Sequence, residues 1–271
     1  MTSRGTGNFP APTLDPLRMN HHRPSNRAAF TLVEMLLVVT VLAMLISILL
    51  PSLTKARDAS RTVVCTATMH QLNDAFSAYL RDNQGRSFIY IGNVGQVSFD
   101  NFWMALLEKY SGKVDEFRVC PQASKKSETV WGSADLAWSG HTHPDGYWIR
   151  CGGDFHWGSY GLNGWLYNGY NSNSLRLRIP TLQHSLTPVF ADSAWVDGWP
   201  ATADAAPADL KSPFSPTGPT PSQMGRFCVD RHTRAVNVAT LDGAVKLTPL
   251  ASLWKFMWSP TFVPGGFNPG L

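Results

Sequence analysis

From Phe30 to Leu50 the chain reads FTLVEMLLVVTVLAMLISILL, apolar almost without interruption, and Pro51 follows. About 21 residues at about 1.5 Å rise give roughly 31 Å, the thickness of a bilayer's hydrocarbon core. Glu34 is the one charge inside the run. A carboxylate there costs on the order of 2–3 kcal/mol on membrane insertion, so it calls for a partner. Beyond Pro51 the pattern changes. Leu53, Ala56, Ser60, Val63, Ala67, Leu72, Ala75, Phe76 and Tyr79 recur every three to four residues, with Lys55, Arg57, Asp58, Arg61 and Asp74 over much of the rest. The two patterns predict one helix from Phe30 to about Asp82, ended by Asn83-Gln84-Gly85. Pro51 removes the hydrogen bond to the Ser47 carbonyl and is expected to bend the helix, the Ser47 hydroxyl taking up part of that bonding. The second half is expected to lie on a folded head.

The head pattern is shorter and mixed. Ser87–Ile91 reads as a strand, Asn101–Ser111 as a helix capped by Asp100, and Pro188–Asp192 as a buried strand. Residues 122–173 read as loop, and 201–224, rich in Pro, Ser, Ala and Thr, as an irregular excursion. Alternating residues from Ala235 to Leu247 flank Asp242-Gly243, a pair suited to a two-residue hairpin turn. A short aromatic helix or turn is expected over Leu250–Trp258. The fold class is α+β, with the long helix packed on an antiparallel β-sheet head. The expected divisions are 1–29 as an unfolded leader, 30–52 as membrane helix, 53–85 as its amphipathic continuation and 86–271 as the head.

Charge adds orientation. The stretch before Phe30 carries Arg18, Arg23 and Arg27 and no nearby acid, which keeps that side cytoplasmic and sends the head outward. Of the net +4 over 271 residues, most sits in the leader, where four arginines oppose Asp15. The remainder is close to neutral, which gives no argument for a nucleic-acid partner. Four cysteines, Cys65, Cys120, Cys151 and Cys228, fall on the predicted outer side, where disulfides persist. Three pairings are open. Cys65–Cys120, tying helix to head, and Cys151–Cys228 are the pairs expected, with free buried thiols as the alternative.

A cut between Ala29 and Phe30 would create an α-amino group one helical turn from Glu34, mostly cationic at neutral pH. In a bundle the carboxylate could meet the amine of a neighbouring copy, where low dielectric strengthens the pair. Arg27-Ala28-Ala29-Phe30-Thr31-Leu32-Val33-Glu34 with the apolar run behind it resembles the cleavage and methylation segment of type IV prepilins and type II secretion pseudopilins. The resemblance implies a pilin-like fold and a leader removed by a prepilin peptidase. It also implies N-methylation of Phe30 and assembly through Glu34 and Pro51. Ala29 departs from the glycine the family prefers before the cut, and a leader of about 29 residues is long for a type IV prepilin. An ordinary signal anchor would explain the apolar run but not the acid at the fifth position, and the residues after the run offer no small-x-small cleavage site.

His232, Asp242 and Gly243 are spaced like the C-terminal signature of a large bacterial subgroup of prepilin-like proteins. Cys120-Pro121, Ser159-Tyr160-Gly161-Leu162-Asn163 and Leu253-Trp254-Lys255 also resemble that subgroup. A structural reading gives Asp242-Gly243 the turn and His232 a hydrogen bond at the base of the sheet. Asp192, Asp197, Asp230 and Asp242 are candidate calcium ligands, although no dense D-x-D loop is present. His141, His143, Asp145, Cys151 and His156 are of the right types for a transition metal, but more often such residues are solvated. No G-x-S-x-G, phosphate-binding loop or H-E-x-x-H occurs, so catalysis has no positive support. Trp131, Trp138, Trp148, Trp157, Trp165, Trp195 and Trp199 are open to two readings, a glycan or partner surface and head core. The expected function is a structural filament subunit, of a type IV pilus or a type II secretion pseudopilus. It would be single-pass in the inner membrane and meet other pilin subunits, an assembly platform and the bilayer. The alternatives are an uncleaved anchored module with a Trp-rich binding head, and an anchored metal-dependent hydrolase.

Overall fold

The computed structural model describes residues 30–89, 103–112, 117–123, 125–126, 131–139, 157–168, 184–214 and 222–266. The chain divides into two compact units, Met1–Leu50 and Pro51–Leu271. The elements in order are α1 (Leu32–Asp82), α2 (Trp103–Ser111), β1 (Lys125–Lys126), β2 (Leu136–Ser139), β3 (Trp157–Gly158), β4 (Tyr160–Asn163), β5 (Pro188–Asp192), β6 (Asp197–Gly198), β7 (Ala235–Thr240) and β8 (Val245–Pro249). A 3₁₀ helix, Leu250–Lys255, follows β8. A long apolar helix with an α+β head is the observed class.

In the first unit every described residue is exposed, from Phe30 to Leu50. Thr40 Oγ1 donates to the Leu37 carbonyl at 2.8 Å and Ser47 Oγ to that of Met44 at 2.7 Å. Both hydroxyls are thus satisfied inside the helix, which suits an apolar surrounding. Ser47 bonds one turn earlier rather than compensating Pro51, contrary to expectation. Pro51 lies within the continuous α1.

In the second unit the helix turns one side to the head, the predicted one from Leu72 to Tyr79 but not before it. Cys65, Met69, Leu72, Asn73, Ala75 and Phe76 are buried, whereas Leu53, Ala56, Ser60, Val63 and Ala67 are exposed. The cause is chemical. The inward face begins with Arg61, Thr62 and Thr66, which are half-buried and meet polar groups of the head, so counting apolar residues assigned it to water. α1 stops at Asp82, where Gln84 and Gly85 take positive φ and the Gly85 N–H closes on the Leu80 carbonyl at 2.7 Å.

A five-stranded sheet of order β6-β4-β5-β7-β8 forms the centre, antiparallel except for β4–β6. All six residues of β7 are buried because both faces are covered. Val236 and Val238 point into a core with Phe227, Leu253, Trp254 and Trp258. Ala239 belongs to the opposite core with Phe76, Trp103, Phe190 and Tyr160, and Asn237 meets α1 on that side. Phe76 sits 5.3 Å from Phe88 and 5.9 Å, edge-on, from Phe190. A smaller sheet has the order β1-β2-β3.

Several expected elements change shape. Ile89 makes only an isolated bridge to Asn168, and 90–102, including Asp100, lie outside the described residues. The β7–β8 hairpin is not a two-residue turn on Asp242-Gly243. Thr240 N–H bonds to the Ala244 carbonyl and Gly243 N–H to that of Thr240, so Leu241, Asp242 and Gly243 make a three-residue loop. Gly243, at φ 93°, takes its last, left-handed position. The described parts of 201–224 are irregular apart from the 3₁₀ turn starting at Met224, and Asp204 pins them by accepting from Ala201 N–H and Met224 N–H.

Cys65 of α1 is disulfide-bonded to Cys120, 55 residues away. Cys228 is a free, buried thiol, which corrects the expected bond to Cys151, a residue outside the described set. It lies among Met224, Phe227 and Val229, and burial pushes its pKa up to about 12, so it is an inert filler. Cys120→Ser should lower stability by about 4 kcal/mol on the loop-closure estimate for a ring of this size. Chemical denaturation of the detergent-solubilised chain checks this, and Cys228→Ser serves as the comparison expected to keep the disulfide.

Candidate functional site

Two places concentrate the residues singled out in the sequence, one in each unit. The first is the start of α1. Thr31 donates through its N–H and its hydroxyl to Glu34 Oε2, both at 2.8 Å, and Glu34 N–H returns a bond to Thr31 Oγ1 at 3.2 Å. This is a reciprocal capping box, with Thr31 as the N-cap. It satisfies N–H groups that a helix start otherwise leaves open, which matters most where water is scarce. A local role for Glu34 in the first turn was expected beside the amine pairing, and the T-x-x-E spacing is the signal that names Thr31 as its partner. Phe30 precedes the cap and is 70% exposed. Ala29 lies outside the described residues.

The second place is under the C-terminal half of α1, where a buried polar cluster gathers. Asp192, at the end of β5, is fully buried. Its Oδ2 accepts from Asn237 N–H at 2.7 Å and from the Asn237 amide at 3.2 Å, and lies 3.2 Å from His232 Nε2. Arg231 Nη1 approaches Oδ1 at 3.5 Å. Burial pushes the Asp192 pKa up, but His232, Arg231 and the Asn237 N–H together hold it below the ordinary carboxylate value. Burial also lowers that of Arg231, against the pull of Asp192. Arg231 further donates to the Ser159, Ser133 and Ser193 carbonyls.

His232 links this cluster to the helix. Its Nδ1 is 3.0 Å from Thr62 Oγ1, and Nε2 is 3.5 Å from Cys120 Sγ. One turn on, Thr66 donates to Asn237 Oδ1 at 2.8 Å, and further along Asn73 donates to the Thr240 carbonyl at 2.9 Å. Arg231, Thr62, Thr66 and Asn237 were not singled out in the sequence. An i, i+4 pair of threonines on an amphipathic helix is the signal that was available.

The remaining marked residues have local duties. Ser159 Oγ accepts from Cys120 N–H, and Tyr160 OH reaches the Cys65 carbonyl at 3.5 Å. A Cβ on Gly161 would stand 2.7 Å from the Trp195 carbonyl oxygen. Asn163 donates to the Pro188 and Trp258 carbonyls at 3.0 and 2.9 Å. Asp242 Oδ1 accepts from Thr240 and from Ala244 N–H inside the hairpin loop, 2.6 and 3.2 Å. The four carboxylates considered for calcium have separate partners: Asp197 faces Arg226 at 3.5 Å, and Asp230 accepts from Arg234 N–H. His141, His143, Asp145, Cys151, His156 and Trp148 lie outside the described residues. Trp138 is buried, and Trp131, stacked on Phe214 at 4.1 Å and set 4.4 Å from Trp195, shares its ring surface with both. Trp165 and Trp199 pack against the core, which favours the structural reading of these aromatics.

Residues 24–50 match the family model described as the prokaryotic N-terminal methylation motif, a match that spans Ala29, Phe30 and Glu34. No curated protein and no solved structure matches the chain.

Two substitutions separate the roles of the buried acids. Asp192→Asn leaves Arg231 and His232 facing a neutral group and should cost about 3–5 kcal/mol. Asp197 behaves in the opposite sense. Burial raises its pKa to about 6 despite Arg226 and Tyr167, so its protonated form favours the fold. That contribution is complete below the unfolded value and is lost as pH rises through about 6. Asp197→Asn should flatten the stability profile between about pH 4 and 7, with denaturant midpoints as the readout.

Proposed function

We propose that the chain is a filament subunit of the type IV pilin and type II secretion pseudopilin kind. It is made with a leader that a prepilin peptidase removes after Ala29, methylated on Phe30 and assembled through α1. The observation that carries this reading is the matched methylation segment, with Glu34 one turn from Phe30 at the head of an apolar helix. Support comes also from the apolar girdle, exposed on every side from Leu32 to Leu50, which suits lipid first and copies of the same helix afterwards. Before assembly the helix is a single pass through the inner membrane, leader inside and head outside. Pro51 supplies bending at the exit from lipid, and the head decorates the filament. The spacing of His232 and Asp242-Gly243 supports a relation to the subgroup whose signature it resembles, with these residues serving the head's architecture.

The capping box sharpens the role of Glu34. Before assembly Thr31 satisfies the carboxylate, and in the filament the charge is available to the methylated amine of a neighbour. The intact mass of the membrane-extracted chain tests processing: loss of residues 1–29 plus one methyl group is expected, and a full-length chain would refute the reading. Glu34→Gln keeps an acceptor for Thr31 but removes the charge. Both Glu34→Gln and Glu34→Ala should be processed yet reduce filament yield at least tenfold. Rescue of assembly by the glutamine variant would show that capping, not charge pairing, is what assembly requires.

A further inference from the structure

The disulfide sulfurs and His232 meet in the buried cluster beneath α1. Cys65 Sγ, Cys120 Sγ and a His232 ring nitrogen lie within 4.8 Å of one another, and all three residues are buried. The distance from His232 Nε2 to Cys120 Sγ is 3.5 Å, and to Asp192 Oδ2 it is 3.2 Å. Bonds of about 2.3 Å to sulfur and about 2.0–2.1 Å to nitrogen or oxygen set these separations on one tetrahedral zinc ion. They place sulfur about 3.5 Å from nitrogen and nitrogen about 3.3 Å from oxygen. The sulfur–nitrogen edge, with Asp192 beside the nitrogen, therefore already exists. The edge between the sulfurs does not, because a zinc dithiolate needs them about 3.8 Å apart and the disulfide holds them bonded.

The contacts of His232 agree. The Thr62 hydroxyl donates to the Asp58 carbonyl at 2.9 Å, and its oxygen lies 3.0 Å from His232 Nδ1. That leaves Nε2 as the ring nitrogen beside sulfur and carboxylate. A metal-binding imidazole is oriented in this way, its other nitrogen donating to a nearby oxygen. Charge closes as well. Two thiolates and the Asp192 carboxylate together offset a divalent ion and the Arg231 guanidinium, so the loaded cluster is neutral in a site that excludes water.

The geometry points to a redox-controlled site for Zn²⁺ or a similar borderline-soft divalent cation, formed by Cys65, Cys120 and His232, with Asp192 beside the imidazole, whenever the disulfide is reduced. A dithiol reductant gives two electrons and two protons to the Cys65–Cys120 bond and is itself oxidised to a cyclic disulfide. The incoming cation then displaces both thiol protons to water. Disulfide and metal are alternative fastenings of α1 to the head at one point. This inference does not depend on filament assembly.

Cobalt(II) tests it on the full chain in detergent, in a Cys151→Ser/Cys228→Ser background that leaves only the two relevant thiols. The chain is reduced with dithiothreitol, desalted without air and titrated. The reduced chain is expected to take up one cobalt with tetrahedral visible bands and a thiolate charge-transfer band, all abolished by zinc. The oxidised chain, which retains every histidine, should show neither. Cys120→Ser should weaken cobalt binding at least tenfold and reduce the charge-transfer band, and His232→Asn should shift the visible bands. Equal uptake by oxidised and reduced chains would overturn the proposal. So would uptake without the thiolate band, a folded reduced chain that takes up none, or a reduced chain that unfolds and is not restored by cobalt.

Discussion

A carboxylate with no access to water has to be matched from every side, and Asp192 sets that condition for the head. Its neighbours come from different parts of the chain: Asn237 from β7, Arg231 and His232 from the segment before it. Each neighbour then has further demands of its own. Arg231 orders the carbonyls of Ser133, Ser159 and Ser193, and His232 and Asn237 reach up to Thr62 and Thr66. Removing any one partner leaves another charge or polar group buried without compensation, which costs more than the intact arrangement contributes. The cluster therefore selects one register of α1 over the sheet, where apolar packing alone would tolerate sliding by a turn. Apolar contacts around Phe76, Phe190 and Trp103 supply the area, and the polar cluster supplies the specificity.

The start of α1 shows the same logic in a different solvent. A helix beginning in an apolar medium cannot leave its first N–H groups to water, and Thr31 with Glu34 answers part of that need within the chain. One acid thus has a duty in the lone helix and a second, proposed duty between helices. The hydroxyls of Thr40 and Ser47 are likewise turned inward to backbone carbonyls. What the segment offers its surroundings is a surface of aliphatic side chains with a single carboxylate near one end.

The apolar run, its length and the helix continuing to Asp82 were legible in the sequence because they rest on local periodicity. So was the buried strand Pro188–Asp192. The docking face of α1 was legible from Leu72 to Tyr79 but not before it. The residues that turn inward near its middle, Thr62 and Thr66, are polar and identified only by partners some 170 positions away. The hairpin was visible but its loop was not, since the Thr240–Ala244 bonding pattern decides whether Asp242-Gly243 occupies the centre or the end of the turn. Of the two cysteine pairs, Cys65–Cys120 exists because the fold brings α1 against the Cys120 segment. Cys228 instead fills a hydrophobic core, an outcome spacing does not encode. His232 carried weight in the sequence, yet its meaning depends on Asp192, whose centrality appears only when the sheet is assembled.

A chain drawn by one end transmits tension along its backbone until something branches the load. In this molecule the branch is Cys65, where a pull entering from the start of α1 divides between the rest of the helix and a covalent link to Cys120. The hydrogen bonds of Thr66 and Asn73 and the packing of Phe76 lie beyond that point. Under load they are relieved of the first share of the force, and peeling of the helix from the sheet is arrested at the staple. A fibre built from such units would yield by extension of the segment before Cys65 while each head kept its interior intact.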